Sequence, residues 1–307
     1  MVTKYELLDA PNPQQADLAD MKMGGFIKLR ESNYYALRLR IPAGNLNAEV
    51  MPVLQEVADK YGRGYVSLTT RLGIEIPWVK FEDLKEAQDR LLEAGIKLAG
   101  CGPRVRSIVS CKGTVCPYGM FDTQKLALQL DHQFFGPRTF PHKFKIGIAG
   151  CPNSCSKPQY NDFGIMGQIR PLLVEQDCNG CNVCVINCKP DAIELRDGIA
   201  NRLEELCLNC GDCVRSCPTN AWATGEVGAA ITIGGKFGKF PNPGHRVAEM
   251  FPLDRVSDLI TATMDFYCDE GRKGERVLET VERVGLDEYI TEIVKPLLQE
   301  GVVSDAS

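Results

Sequence analysis

The apolar positions of the first hundred residues switch between two periods. Tyr34–Ile41 reads as a strand, and Val50, Val53, Leu54 and Val57 then recur at helical spacing. Asn47 is placed to cap that helix and Gly62 lies just past its end. Tyr65–Thr70 and Ile74–Ile76 return to strand alternation. Leu84, Ala87 and Leu91 mark a second helix over Glu82–Ala94, stopped by Gly95. Residues 23–98 therefore predict a β-α-β-β-α-like unit.

Past residue 98 the pattern is broken by Gly, Pro and Cys. Asp122 is placed to cap a helix running through Phe134. Lys143–Ala149 alternates strictly and predicts a strand. Phe144, Ile146 and Ile148 fall on one face, to be buried, and Lys143, Lys145 and Gly147 on the other. The lysine face leads straight into the loop Gly150-Cys-Pro-Asn-Ser-Cys155. Residues 178–217 hold eight cysteines and no readable period. Val256, Leu259, Ile260, Thr263 and Met264 then mark a helix face, with further helices over Gly274–Val284 and Glu288–Leu298. The expected fold class is α+β, divided at 1–98, 99–172, 173–226 and 227–307.

Composition changes the picture in one respect. A chain of 307 residues, 44% hydrophobic and 24% charged, can bury a core without covalent staples. It has no run of about 18 apolar residues, and Met1–Asp20 is polar and acidic, so no membrane span or signal segment is expected and the cytoplasm is the expected compartment. A net charge of −5 argues against general nucleic-acid binding. The 14 cysteines are the anomaly, because a reducing compartment disfavours disulfides and leaves ligation as their use.

Their spacing is specific. Cys178, Cys181, Cys184 and Cys188 form a C-x2-C-x2-C-x3-C run, and Cys207, Cys210, Cys213 and Cys217 repeat it 29 residues later. This spacing wraps a [4Fe–4S] cube, the fourth cysteine of each run serving the other cube. The expected sets are Cys178, Cys181, Cys184 and Cys217 for one cluster, and Cys207, Cys210, Cys213 and Cys188 for the second. Structural zinc is the alternative for four thiols, but zinc ligands come as separated pairs rather than four in eleven positions. Residues 174–222 resemble the bacterial two-cluster ferredoxins.

Four more cysteines form loop pairs, Cys111 with Cys116 and Cys151 with Cys155. Near them in sequence lie Arg71, Arg104, Arg106 and Lys112, as well as Lys143 and Lys145. Cations gathered around cysteine loops in an acidic protein predict an anionic ligand. Cys101 and Cys268 read as ordinary buried thiols. Leu68-Thr-Thr-Arg71, Gly102-Pro-Arg-Val-Arg106, Lys143-Phe-Lys145, Gly150-Cys-Pro-Asn-Ser-Cys155, Gly234-Gly-Lys-Phe-Gly238 and Gly274-Glu-Arg276 together resemble the sulfite and nitrite reductase family across nearly the whole chain beyond residue 20. The first pair departs from the family in being C-x4-C, where C-x5-C is usual.

The resemblance implies a sulfite-reductase-like sirohaem domain with an inserted ferredoxin domain, similar to dissimilatory-type sulfite reductases and to the catalytic component of anaerobic sulfite reductase. It implies a third [4Fe–4S] cluster on Cys111, Cys116, Cys151 and Cys155, with Cys155 bridging it to the sirohaem iron. It implies that Arg71, Arg106, Lys143 and Lys145 bind the substrate anion, and that Arg104 and Lys112 meet the sirohaem carboxylates. The activity so implied is six-electron reduction of sulfite to sulfide. Nitrite reduction on the same machinery, or an electron-transfer subunit without sirohaem, are the alternatives. No G-x-G-x-x-G fingerprint is present, so electrons are expected from a protein donor, a ferredoxin or reductase subunit. A homo- or hetero-oligomer is implied by the resemblance.

Overall fold

The computed structural model describes residues 17–136 and 138–299. Most of the polar N-terminal stretch Met1–Asp20 lies outside the described residues. Among the described residues no helix is long and apolar enough to cross a membrane.

The elements run in the order α1 (Leu18–Gly24), β1 (Phe26–Lys28), β2 (Tyr34–Leu39), α2 (Met51–Tyr61), β3 (Ser67–Leu68), β4 (Ile74–Lys80), α3 (Leu84–Glu93), β5 (Val109–Ser110), α4 (Thr123–Phe134), β6 (Ile146–Ala149) and β7 (Phe163–Leu173). They continue with α5 (Val183–Asn187), β8 (Ile193–Arg196), β9 (Ile199–Arg202), α6 (Asp212–Ser216), β10 (Trp222–Ile233), β11 (His245–Phe251), α7 (Val256–Glu270), α8 (Val277–Val284), α9 (Leu286–Tyr289) and α10 (Lys295–Gln299). A π-helical turn, Ile290–Val294, joins the last two. The chain divides into two compact units, one built from 1–109, 127–146 and 272–276, the other from 110–126, 147–271 and 277–307.

The first unit is a four-stranded antiparallel sheet, β1-β2-β4-β3, with α2 and α3 as its helices. Its core gathers Leu37, Leu39, Leu54, Val57, Ile76 and Leu91, residues whose spacing marks them in sequence. Asn47 accepts from the Glu49 N–H and starts the helical segment leading into α2. The strand predicted over Tyr65–Thr70 is shorter than expected, only Ser67–Leu68, and the one predicted over Ile74–Ile76 is longer. β4 runs on through Pro77, and the irregularity lies there: the register against β2 shifts between Tyr35 and Leu37, and Trp78 sits at φ +70°.

The second unit is organised on a five-stranded sheet, β11-β10-β7-β6-β5. Its centre is the long antiparallel pair β7–β10, which runs from Phe163↔Ile233 to Leu173↔Trp222 with one register shift between Thr224 and Val227. Asp122 accepts from the Lys125 N–H and caps α4, as its placement predicts. The strand expected over Lys143–Ala149 is shorter, beginning at Ile146, and all four of its residues are buried. An interior strand has both faces covered, so the half-buried lysine face stops at Lys145. Val256, Leu259, Ile260, Thr263 and Met264 are all buried on α7.

Between β7 and β10 lies the cysteine-rich segment, with a small two-stranded sheet, β8–β9. The 29-residue repeat is visible in the backbone. Gly180 and Asn209, Asn182 and Gly211, and Asp191 and Asn220 are all left-handed, at φ between 54° and 68°. Each pair is 29 apart, and Gly, Asn and Asp are the residues that enter this region at least cost. α5 and α6 repeat at the same offset.

Candidate active site

In the second unit the two loops bearing Cys111, Cys116, Cys151 and Cys155 are laced by main-chain bonds. The Cys111 N–H donates to Ile148 O at 3.0 Å, the Met120 N–H to Gly150 O at 3.0 Å, and the Gly150 N–H to Cys111 Sγ at 3.2 Å. Thr123 Oγ1 donates to Cys111 O at 2.8 Å. Cys151 is buried, which pushes its thiol pKa up, and the charges of Cys111, Cys155 and Cys116 push it further. Cys155 is exposed.

The eight repeated cysteines fall into two groups. Cys178, Cys181, Cys184 and Cys217 line one cavity with Leu195, Ala200 and Trp222. The Trp222 Nε1 is buried without a hydrogen-bond partner, and Trp222 lines the same cavity. Burial would raise the Cys217 thiol, yet the Thr219 hydroxyl and the N–H groups of Trp222, Thr219 and Ala221 bring it below its ordinary value. Among the remaining cysteines burial drives Cys213 up to about 12, with Cys210, Cys207 and Cys184 adding to it, and Cys188 is raised by burial and by the charges of Cys207, Asp191 and Cys184. The thiols ring a space; among the described residues no three His, Cys, Asp or Glu close on a point suited to a single metal ion. Four soft donors around a space, with N–H groups aimed at sulfur, fit a cube.

In the first unit two of the cations, Arg38 and Arg106, meet at Cys101. Arg71 donates to the Ser107 carbonyl at 2.7 Å and to Ile146 O at 3.4 Å. The guanidinium of Arg106 is lowered by burial and further by the charges of Arg38 and Arg276, while Cys101 opposes the shift. Arg104 Nε and Arg106 Nε are buried without hydrogen-bond partners. Crowded, desolvated guanidinium groups fit an anion-bearing ligand such as a carboxylated tetrapyrrole or an oxyanion. Lys143 and Lys145 are half-buried just ahead of β6. Lys112, in the second unit, is exposed. His142 accepts from the Lys143 N–H at 2.8 Å.

Two residues depart from the sequence reading. Cys101 is buried but is no ordinary apolar thiol, since Arg38 donates to its sulfur. Cys268 is half-buried rather than buried. Nothing in the sequence singles out Arg38 itself, because the alternation of β2 explains it as an outward residue. Its neighbour on the same face, Arg40, pairs with the buried Asp131 and lies 3.7 Å from the Phe135 ring centroid.

Comparison with known proteins places this arrangement. Residues 101–300 match the nitrite and sulphite reductase 4Fe-4S domain, and residues 27–94 the nitrite/sulfite reductase ferredoxin-like half domain. The chain belongs to the nitrite and sulfite reductase family. It is 31% identical over 90% of its length to the coenzyme F420-dependent sulfite reductase of Methanocaldococcus jannaschii, of which it spans 45%. It is 32% identical over 64% of its length to a subunit of the anaerobic sulfite reductase of Salmonella typhimurium, of which it spans 65%. Among solved structures, dissimilatory sulfite reductase I shares the fold with a TM-score of 0.67 at 23% identity, covering 86% of this chain and 71% of that one.

Proposed function

We propose that the chain is a sirohaem-dependent sulfite reductase, or the catalytic part of one, carrying three [4Fe–4S] clusters. The observation that carries this reading is the joining of the Cys111–Cys116 loop to the Cys151–Cys155 loop, where the Gly150 N–H donates to Cys111 Sγ and the Met120 N–H to Gly150 O, in a chain of this family. Cys111, Cys116, Cys151 and Cys155 would hold one cube, and Cys155 would also hold the sirohaem. Cys178, Cys181, Cys184 and Cys217 would hold the second, and Cys207, Cys210, Cys213 and Cys188 the third. When bound, these groups supply the storage and one-at-a-time delivery of the six electrons that sulfite reduction consumes.

The rest falls to the chain's own side chains. Arg71, Arg106, Lys143 and Lys145 bind and neutralise the oxyanion. Arg71, whose guanidinium is anchored on the carbonyls of Ser107 and Ile146, is a fixed charge. The lysines add a movable proton at Nζ, the property needed when sulfite oxygens leave as water. Arg104 and Lys112 meet sirohaem carboxylates. Reducing equivalents come from a ferredoxin or a reductase subunit, within a homo- or hetero-oligomer.

The test is an optical spectrum with iron and tetrapyrrole counts on anaerobically purified protein, then turnover of sulfite against nitrite with reduced methyl viologen. The reading expects coupled sirohaem bands and preference for sulfite. Preference for nitrite would move the substrate, and cubes without tetrapyrrole would leave an electron-transfer subunit.

A further inference from the structure

Strand β7 touches two of the three cysteine sites at neighbouring positions. A Cβ on Gly167 would lie 2.4 Å from Gly150 O, so the backbone just before Cys151 lies against β7 there. Two residues on, the Ile169 N–H donates to Asn209 O at 2.9 Å, and a Cβ on Gly211 would lie 2.5 Å from the Ile169 side chain. Asn209 and Gly211 flank Cys210. Positions two apart on a strand are separated by about 7 Å.

A second, independent contact joins the same two loops. Arg215 lies over the Tyr118 ring, 4.9 Å from its centroid, and donates to Cys210 O at 2.6 Å. Tyr118 is two residues past Cys116. The first run packs elsewhere. A Cβ on Gly180 would lie 2.5 Å from Gly198 O, at the β8–β9 turn. Its cavity is lined by Leu195 and Ala200 of that hairpin and by Trp222, which pairs with Leu173 at the far end of β7. Leu173 is four residues beyond Ile169, about 13 Å along the strand.

We infer that the two repeated sites are not equivalent. The Cys207, Cys210, Cys213 and Cys188 site is the inner one, neighbour to the Cys111, Cys116, Cys151 and Cys155 site. The Cys178, Cys181, Cys184 and Cys217 site is the outer one. This rests on the reading in which all three sets hold cubes. It makes Arg215 and Tyr118 the residues that fix the inner loop against the Cys116 loop.

The experiment uses the full, cluster-loaded chain reduced with dithionite and methyl viologen, with Cys210→Ser and Cys181→Ser made separately. The readout is the spin-relaxation rate, from electron paramagnetic resonance power saturation, of the centre held by Cys111, Cys116, Cys151 and Cys155. A paramagnetic neighbour speeds relaxation steeply as it nears. Relaxation should slow several-fold in Cys210→Ser and markedly less in Cys181→Ser. An equal or larger effect from Cys181→Ser overturns the order. Arg215→Leu keeps every thiol and guards against variants that fail to load: it should change the relaxation of the same centre, and an unchanged rate counts against the inference. Failure of the sulfite-reductase reading shows separately, as absent tetrapyrrole bands, and the relaxation comparison still decides the order.

Discussion

At the scale of single residues, the arrangement separates groups that hold from groups that react. Cys155 is exposed while its partner Cys151 is buried, which leaves the Cys155 sulfur accessible to a second group. Cys155→Ser is expected to abolish electronic coupling between cube and sirohaem, seen as loss of the coupled optical and paramagnetic spectra. Normal coupled spectra in that variant would remove Cys155 from the bridging role. Lys143 and Lys145 are half-buried ahead of β6 and lie outside the strand's buried positions. Lys143→Ala and Lys145→Ala should therefore each lower sulfite turnover at least about tenfold, on the scale of a lost proton donor, while the thermal midpoint stays nearly constant. Unchanged sulfite kinetics in both variants would refute their place at the anion.

At the scale of elements, β7 is where sequence reading runs out. Neither β7 nor β10 is marked by a period, although they form the longest strand pair in the second unit. β7 carries Gly164, Gly167 and Pro171, which weaken strand propensity, and most of its residues are buried, so no polar alternation marks it. The glycines have a packing reason that single-chain reading does not supply. Gly167→Ala would put a methyl 2.4 Å from the Gly150 carbonyl and 2.9 Å from Phe121. That variant should displace the Cys151 loop and lower iron and tetrapyrrole content, measured per chain after anaerobic purification, with far-ultraviolet dichroism little altered. Full cofactor content would show that the loop does not depend on this contact. The helices were legible, because Leu84, Ala87 and Leu91 on α3 and Val256 to Met264 on α7 are set by one-sided burial. α1 and β1 were too short to carry a period.

At the scale of the whole molecule, stability is unevenly founded. The first unit has an apolar core built around buried Leu37, Val57, Ile76 and Leu91. The cysteine-rich segment has a small buried core, Cys184, Ile193, Ala200, Cys213 and Trp222, two of them thiols, with partly buried residues such as Leu173 and Val185 packed on it. A core this small offsets little chain entropy by itself, and in the proposed reading bound clusters would supply the difference. Chelating the iron should therefore erase hydrogen-exchange protection across residues 178–221 while protection persists in β2 and β4. Retained protection in the stripped segment would show that its fold stands without metal. The repeat that announces this segment was the most legible feature of the sequence, since ligand spacing is a local constraint. The guanidinium groups around Cys101 were not, since they meet only through the fold.

The exchange of fourth thiols between the runs has a consequence for ancestry. Cys217 lines one cavity with Cys178, Cys181 and Cys184, and in the proposed arrangement Cys188 would complete the other set. A half-length forerunner with one run could complete such a ring only by borrowing from a twin, as a two-fold symmetric pair. On the proposed assignment the present segment would be that pair made covalent, and excising either half would empty both.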